Sequence, residues 1–323
     1  MNQCKVILVF LLSICIVYFF DVLSGLSVSA AQSDVIRFLY PVITCTFVIA
    51  IQRFVNYKSL VSYALIFSIS ITSFLGITKT LTGAYAGSTN ALFFGLSFYS
   101  ASLAYKSFNN RLCWQDVFIV ANPLLLFTGP IATTFQNITT TRIYRRFTIY
   151  FPFLVTGVFF YKIIACPLAM FLPLIALTNS IGAVTFACIF ELFVYFNFAG
   201  LSLIMYALFG FFGIRIPLNF RQPFSSRNLI EFWRGWHVSL SSVFKQMFYT
   251  PVSKRFNGHL AIFAVFISSV VWHGVTANFF IWGIFHAVCF ILTKALLKRG
   301  GIHLATILML FAIVIDRMVF ADI

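Results

Sequence analysis

Two histidines sit where an imidazole could work as a base. His273 lies in Val270-Val271-Trp272-His273-Gly274, at the end of an almost wholly apolar run. A polar side chain at membrane depth is costly, and it marks a functional site by default. Burial disfavours the imidazolium form, which leaves such a ring neutral and able to accept a proton. Ser269 and Thr276 share its helical face at i−4 and i+3, and Gly274 lets a ligand come close. The same spacing also fits a packed imidazole bonded to Ser269 or to a neighbouring carbonyl. The second histidine, His237, follows Trp233-Arg234-Gly235-Trp236 in the most basic stretch of the chain.

That stretch, 214–259, must position His237. It holds Arg215, Arg221, Arg227, Arg234, Lys245, Lys254 and Arg255 against the single acid Glu231. Leu229, Trp233, Trp236, Leu240, Val243 and Met247 recur at three- and four-residue intervals, the spacing of one apolar helix face. Arg234, Ser241 and Lys245 fall on another face, with His237 at the boundary. The pattern predicts an interfacial amphipathic helix near 229–248, with Trp and Phe inward and Arg and Lys towards water or phosphate. A surface anchor that happens to carry a histidine has the same pattern. His286, in Trp282-Gly283-Ile284-Phe285-His286, is expected to pack beside the site. Glu191 is the one carboxylate deep in a long apolar segment.

The elements around these residues belong to a membrane protein. Of 323 residues, 61% are hydrophobic and 9% charged, and 43 are Phe. Soluble domains run at about 45–50% apolar and about 25% charged. A soluble enzyme, a disordered chain and a disulfide scaffold are therefore excluded. The apolar runs are continuous rather than alternating, which disfavours a β-barrel. The fold class expected is an all-α polytopic membrane protein with about ten to eleven transmembrane or re-entrant helices. Candidate spans cover 5–20, 34–52, 60–78, 90–106, 115–129, 147–165, 168–188, 189–213, 260–275, 277–294 and 302–320. The first is expected as a signal anchor. Lys5, Arg53, Lys58, Lys106 and Arg111 recur on alternate loops, which puts the N-terminus in the cytoplasm. The excess of 22 Lys+Arg over 7 Asp+Glu reads as anchoring at the bilayer surface, not as nucleic-acid binding.

Other chemistries lack their patterns. The seven cysteines are scattered without a CxxC pair, and no His-x₃-His or HExxH spacing exists, so no metal site is expected. There is no G-x-S-x-G and no Walker A motif.

The residues that do stand out resemble the membrane-bound O-acyltransferase family. The likeness is carried by Arg221-Gln222-Pro223-Phe224-Ser225-Ser226-Arg227, EFWRGWHVSLS (231–241), VVWHG (270–274) and WGIFHA (282–287). GLSFYS (95–100), LLFTGPI (125–131) and YFNFAG (195–200) fit it too. It runs from about residue 90 to the end. One membrane-embedded domain is expected, with a family-like core at 90–323 and N-terminal spans of weaker resemblance at 1–89. The D-alanyl-teichoic-acid branch looks nearest, and the alginate and peptidoglycan O-acetylation branch second.

The resemblance implies helices around a central tunnel through a bacterial cytoplasmic membrane. A short acyl group, acetyl or D-alanyl, would pass from a cytoplasmic thioester to a hydroxyl of a cell-surface polymer, glycan or relay protein. The activity class expected is an O-acyltransferase transferring groups other than amino-acyl or D-alanyl, while the branch likeness leaves both acetyl and D-alanyl open. His273 matches the family's catalytic histidine, a general base, and His237 its second signature histidine. Arg227, Trp233, Arg234, Trp236, Ser241, Lys245, Trp272 and Asn197 fall on its motifs as candidates for donor or substrate contact. No bound cofactor is implied. The thioester donor is a phosphopantetheine carrier protein or an acyl-CoA. Implied partners are the lipid bilayer, an acidic acyl-carrier protein on the cytoplasmic side, and a periplasmic or extracellular acyl-relay protein. A neutral histidine in a water-poor cavity suits such a transfer. The chain departs from the family's pattern at Asn197, Gly235 and Lys245-Gln246-Met247, where Asp, Arg and Arg-Asp-Tyr are usual. A transporter of a lipid-linked intermediate and a catalytically degenerate scaffold are the rival readings.

Overall fold

Long apolar runs with few breakers produce long helices, and the computed structural model follows that rule. It describes residues 7–16, 42–43, 45–54, 102–103, 105–106, 112–128, 130–131, 136–138, 142–175, 179–273 and 277–320. The expected span at 60–78, most of those at 34–52 and 90–106, and GLSFYS lie outside the described residues. Helices α1 (Ile7–Ile16) and α2 (Cys45–Phe54) come first, then α3 (Trp114–Val120) and α4 (Pro123–Thr128). Strand β1 (Gln136–Asn137) precedes α5 (Ile143–Val158), which runs through a π-helical turn, Phe159–Ala165, into α6 (Cys166–Phe171). Next are α7 (Ser180–Phe211), β2 (Ile214–Arg215), α8 (Leu229–Gly235) and α9 (Val238–Phe244). A second π turn, Lys245–Tyr249, leads to α10 (Thr250–Arg255). The chain then forms α11 (Gly258–His273), α12 (Ala277–Lys298) and α13 (Ile302–Phe320).

Among the described residues, three helical stretches are long and apolar enough to cross a membrane: Ile143–Leu174, α7 and α12. The last three expected spans agree with α11, α12 and α13 to within a turn. The three expected over 147–213 are two. Pro167 does not interrupt the first of them: it follows directly on the π-helical turn Phe159–Ala165, and the helix continues past it to Phe171. The break follows Pro173 instead. Helix α7 then runs uninterrupted over 32 residues, with no proline inside it. The expected span at 115–129 is broken into α3 and α4 at Asn122-Pro123, where the Asn122 side chain accepts from Leu124 N–H at 3.1 Å.

The residues group into two compact units. One comprises 1–147 with 208–216. Its core holds Cys45, Val48, Leu103, Leu112, Val117 and Val120. Buried Gln52 accepts the Leu112 N–H at 2.8 Å, Lys106 pairs with Asp116 at 2.7 Å, and β1 pairs antiparallel with β2.

The other unit comprises 148–207 with 217–323. Small residues let its helices approach. A side chain on Gly157 of α5 would meet the Gly200 carbonyl at 2.7 Å, and one on Gly200 of α7 would meet the Gly157 carbonyl at 2.8 Å. Glycine at such crossings lets membrane helices pack backbone to backbone. Gly283 of α12 does the same against Val270 of α11. Two apolar clusters complete the core: Leu229, Phe232, Cys289, Met309, Ala312 and Ile313, and Ile262, Phe266, Val270, Trp282 and Ala287.

Candidate active site around His237

The local sequence starts α8 as capping rules demand. Asn228 accepts the N–H groups of Ile230 and Glu231, each at 3.1 Å, and Glu231 reaches back to the Arg227 N–H at 3.0 Å. These bonds satisfy N–H groups that a helix start leaves free. The Arg227 backbone N–H at the Glu231 carboxylate holds that acid below its usual range.

Apolar spacing over 229–248 predicts one amphipathic helix; the structure corrects this to α8, α9 and a π turn. The chain leaves the helix at Trp236 (φ −90°, ψ 128°), and His237 is left-handed at φ 44°, ψ 53°. Val238 then donates its N–H to the Asn219 carbonyl at 2.8 Å rather than to a residue one turn back. Gly235 permits the break. It accepts the Arg221 N–H at 2.9 Å, and a side chain on it would meet the Arg221 carbonyl at 2.8 Å. Gln222 and His237 are the non-glycine residues with positive φ among the described residues, and both stand at this join. Left-handed backbone costs a non-glycine residue roughly 1–2 kcal/mol, and such strain gathers at functional sites.

His237 is buried, at 8% exposure. Burial pushes its imidazole down to about 4, so the ring is neutral at pH 7. Phe220 lies 6.3 Å from it, centroid to centroid, and Trp272 of α11 stands edge to face at 6.0 Å. Trp272, the residue that precedes His273, is thus the part of α11 that meets His237. His273 is the last residue of α11; its side chain, Gly274 and Thr276 lie outside the described residues.

The tryptophans serve the frame. Trp236 stacks on Phe232 at 5.4 Å and meets Phe220 edge to face at 5.2 Å. Tyr195 of α7 joins this group through Phe224 and Phe220. Trp233 points to the other side, perpendicular to His286 at 5.1 Å. His286 is 1% exposed and ringed by Trp233, Phe266, Trp282 and Phe285, so it packs in the core as expected. Ser241 donates its hydroxyl to the Trp236 carbonyl at 3.3 Å, closing the broken turn. Arg227, Arg234 and Lys245 are exposed. Asn197 is half-buried on α7 and shares a helical face with Gly200, not with Tyr195.

Asn219 is the residue that motif reasoning missed. It is 1% exposed. Its side-chain oxygen accepts from the Ser239 N–H at 3.3 Å and the Ser239 hydroxyl at 2.8 Å. Its amide nitrogen donates to Ser202 of α7 at 3.3 Å. Together with its backbone bond to Val238, these ties fix the two residues that follow His237 to α7. A lone Asn between an apolar helix and a basic loop was the only local signal. Among the described residues, no group of three His, Cys, Asp or Glu gathers as metal ligands would.

With this geometry in place, the relatives are informative. Residues 174–300 match the membrane-bound O-acyltransferase family model. The teichoic acid D-alanyltransferase of Bacillus subtilis (strain 168) is 31% identical over 130 residues, 37% of this chain and 33% of that protein. The peptidoglycan O-acetyltransferase of Helicobacter pylori (strain ATCC 700392 / 26695) is 32% identical over 105 residues, 31% of this chain and 20% of that one. A probable alginate O-acetylase of Pseudomonas syringae pv. tomato is 33% identical over a similar stretch, again 20% of the relative. The chain thus matches about a third or less of the length of these curated relatives. D-alanyl stands beside acetyl among the groups their names imply. Both histidines and the frame around them fall inside the segment, residues 174–300, that is similar to the membrane-bound O-acyltransferase family.

Proposed function

We propose that this chain is a membrane O-acyltransferase of the cytoplasmic membrane, moving a short acyl group, acetyl or D-alanyl, from a thioester to a hydroxyl of a cell-surface polymer, glycan or relay protein. His273 is the general base. It takes the acceptor's hydroxyl proton as the oxygen attacks the thioester carbonyl, and returns it to the departing thiolate. His237, neutral and fixed, orients donor or acceptor. The observation that carries the reading is the edge-to-face pairing of His237 with Trp272, which ties the strained turn to the helix end that bears His273. Positioned base catalysis contributes about 10²–10⁴-fold, and a dry pocket limits loss of the thioester to water. The exposed cations Arg227, Arg234 and Lys245 suit an anionic donor, either a phosphopantetheine carrier protein or an acyl-CoA. The donor approaches from the cytoplasm.

The test is acyl incorporation into the envelope of cells carrying His273→Ala, with membrane insertion checked by fractionation. Loss of incorporation by two or more orders of magnitude is expected. A fully inserted His273→Ala protein with parental incorporation overturns the assignment.

A further inference from the structure

Helices α12 and α13 form an open apolar groove of about 470 Å³ on their surface, lined by Leu292, Leu296, Leu304, Ile307, Leu308 and Phe311. That volume falls in the range of ligand sites, about 300–1,000 Å³. All six lining residues are apolar, and the turn that joins the two helices lies at the Leu296–Leu304 end. Arg299 follows Lys298, the last residue of α12, in the turn that leads from Leu296 to Leu304 of α13. The chain turns tightly here. The Arg299 and Gly301 N–H groups both donate to the Leu296 carbonyl at 3.0 Å, and Gly300 is left-handed at φ 77°. Lys298, Arg299 and His303 are all exposed at this turn. From 232 to 315 the sequence contains no Asp or Glu.

We infer that this groove is a binding site for one anionic phospholipid, with an acyl chain along Leu296, Ile307 and Phe311 and the phosphate received by Arg299 and Lys298. Charge decides between occupants. An apolar slot ending in exposed cations is the outline of a negatively charged amphiphile. A second copy docked in parallel would set one basic turn against another, which costs energy. Anionic headgroups attract nearby Lys and Arg side chains. The inference stands apart from the proposed catalysis and needs neither histidine.

The full chain, purified in detergent, is equilibrated with mixed micelles of phosphatidylglycerol and phosphatidylcholine, and bound lipid is read by native mass spectrometry. Selective retention of one phosphatidylglycerol is expected. Lys298→Gln with Arg299→Gln should weaken it roughly tenfold or more, and Ile307→Trp should displace the chain by filling the slot. A thermal shift of the parent protein by phosphatidylglycerol over phosphatidylcholine reads the same preference without any variant. Equal retention of both lipids, or retention untouched by either variant, overturns the inference. So does release by excess inorganic phosphate, which would mean an anion site alone, or cross-linking through Ile307 between copies, which would mean a dimer face.

Discussion

His237 and Trp272 meet edge to face, with ring centroids 6.0 Å apart and planes at 89°. The imidazole holds that pose on a left-handed backbone. Residues differ in how they tolerate this. His237→Asn keeps a residue type enriched in the left-handed region, so it should insert and melt near the parent while losing the imidazole. His237→Ala adds roughly 1 kcal/mol or more of backbone cost. Both should lower acyl incorporation by about tenfold or more, equivalent to ~1.4 kcal/mol of lost positioning. Thermal melting in detergent separates them. Equal activity of His237→Asn and parent would remove His237 from the site.

Asn219 supports that turn from a distance in sequence. Asn219→Ala deletes three side-chain hydrogen bonds, to Ser239 N–H, Ser239 Oγ and Ser202 Oγ. At about 1 kcal/mol each, with buried hydroxyls left behind, the expected loss is about 2–4 kcal/mol. Ser239→Ala should cost only about 1 kcal/mol. Denaturation of the two variants side by side checks the ratio.

Gly235 and Gly300 should respond differently to alanine. At Gly235 the added methyl meets a backbone oxygen at 2.8 Å, so the 221–223 strap must move. The expected cost is about 1–3 kcal/mol, and activity should fall with it. At Gly300 nothing lies within 4 Å and only the positive φ is strained, roughly 1 kcal/mol. Gly300→Asn should recover most of that loss. A Gly235→Ala protein as stable as the parent would refute the tight join.

His237 also makes stability depend on pH. Its folded pKa of about 4 lies below the unfolded value near 6.5. Between these values the unfolded chain binds a proton that the folded chain refuses. The stabilising contribution is therefore complete above about pH 6.5 and drains away as pH falls towards 4. At ~1.4 kcal/mol per unit, the total is a few kcal/mol. Melting temperature against pH should show this slope in the parent, and the slope should shrink in His237→Asn.

Much of the architecture is local and is written in residue order. A composition of 61% hydrophobic residues demands a bilayer. Uninterrupted apolar runs make α11, α12 and α13, and Asn228 with Glu231 marks the start of α8 within four residues. The turn at His237 is not local. Its apolar spacing continues across the break, so periodicity reads one helix where there are two. What ends α8 is a carbonyl on Asn219 and a strap at Arg221, both brought alongside by the packing of α7. Gly235, met first as a charge missing from a family pattern, is space kept for that strap. A helix is decided by residues three and four apart, whereas a left-handed histidine is decided by whichever distant backbone is there to take the next N–H. Only the tertiary structure supplies that partner.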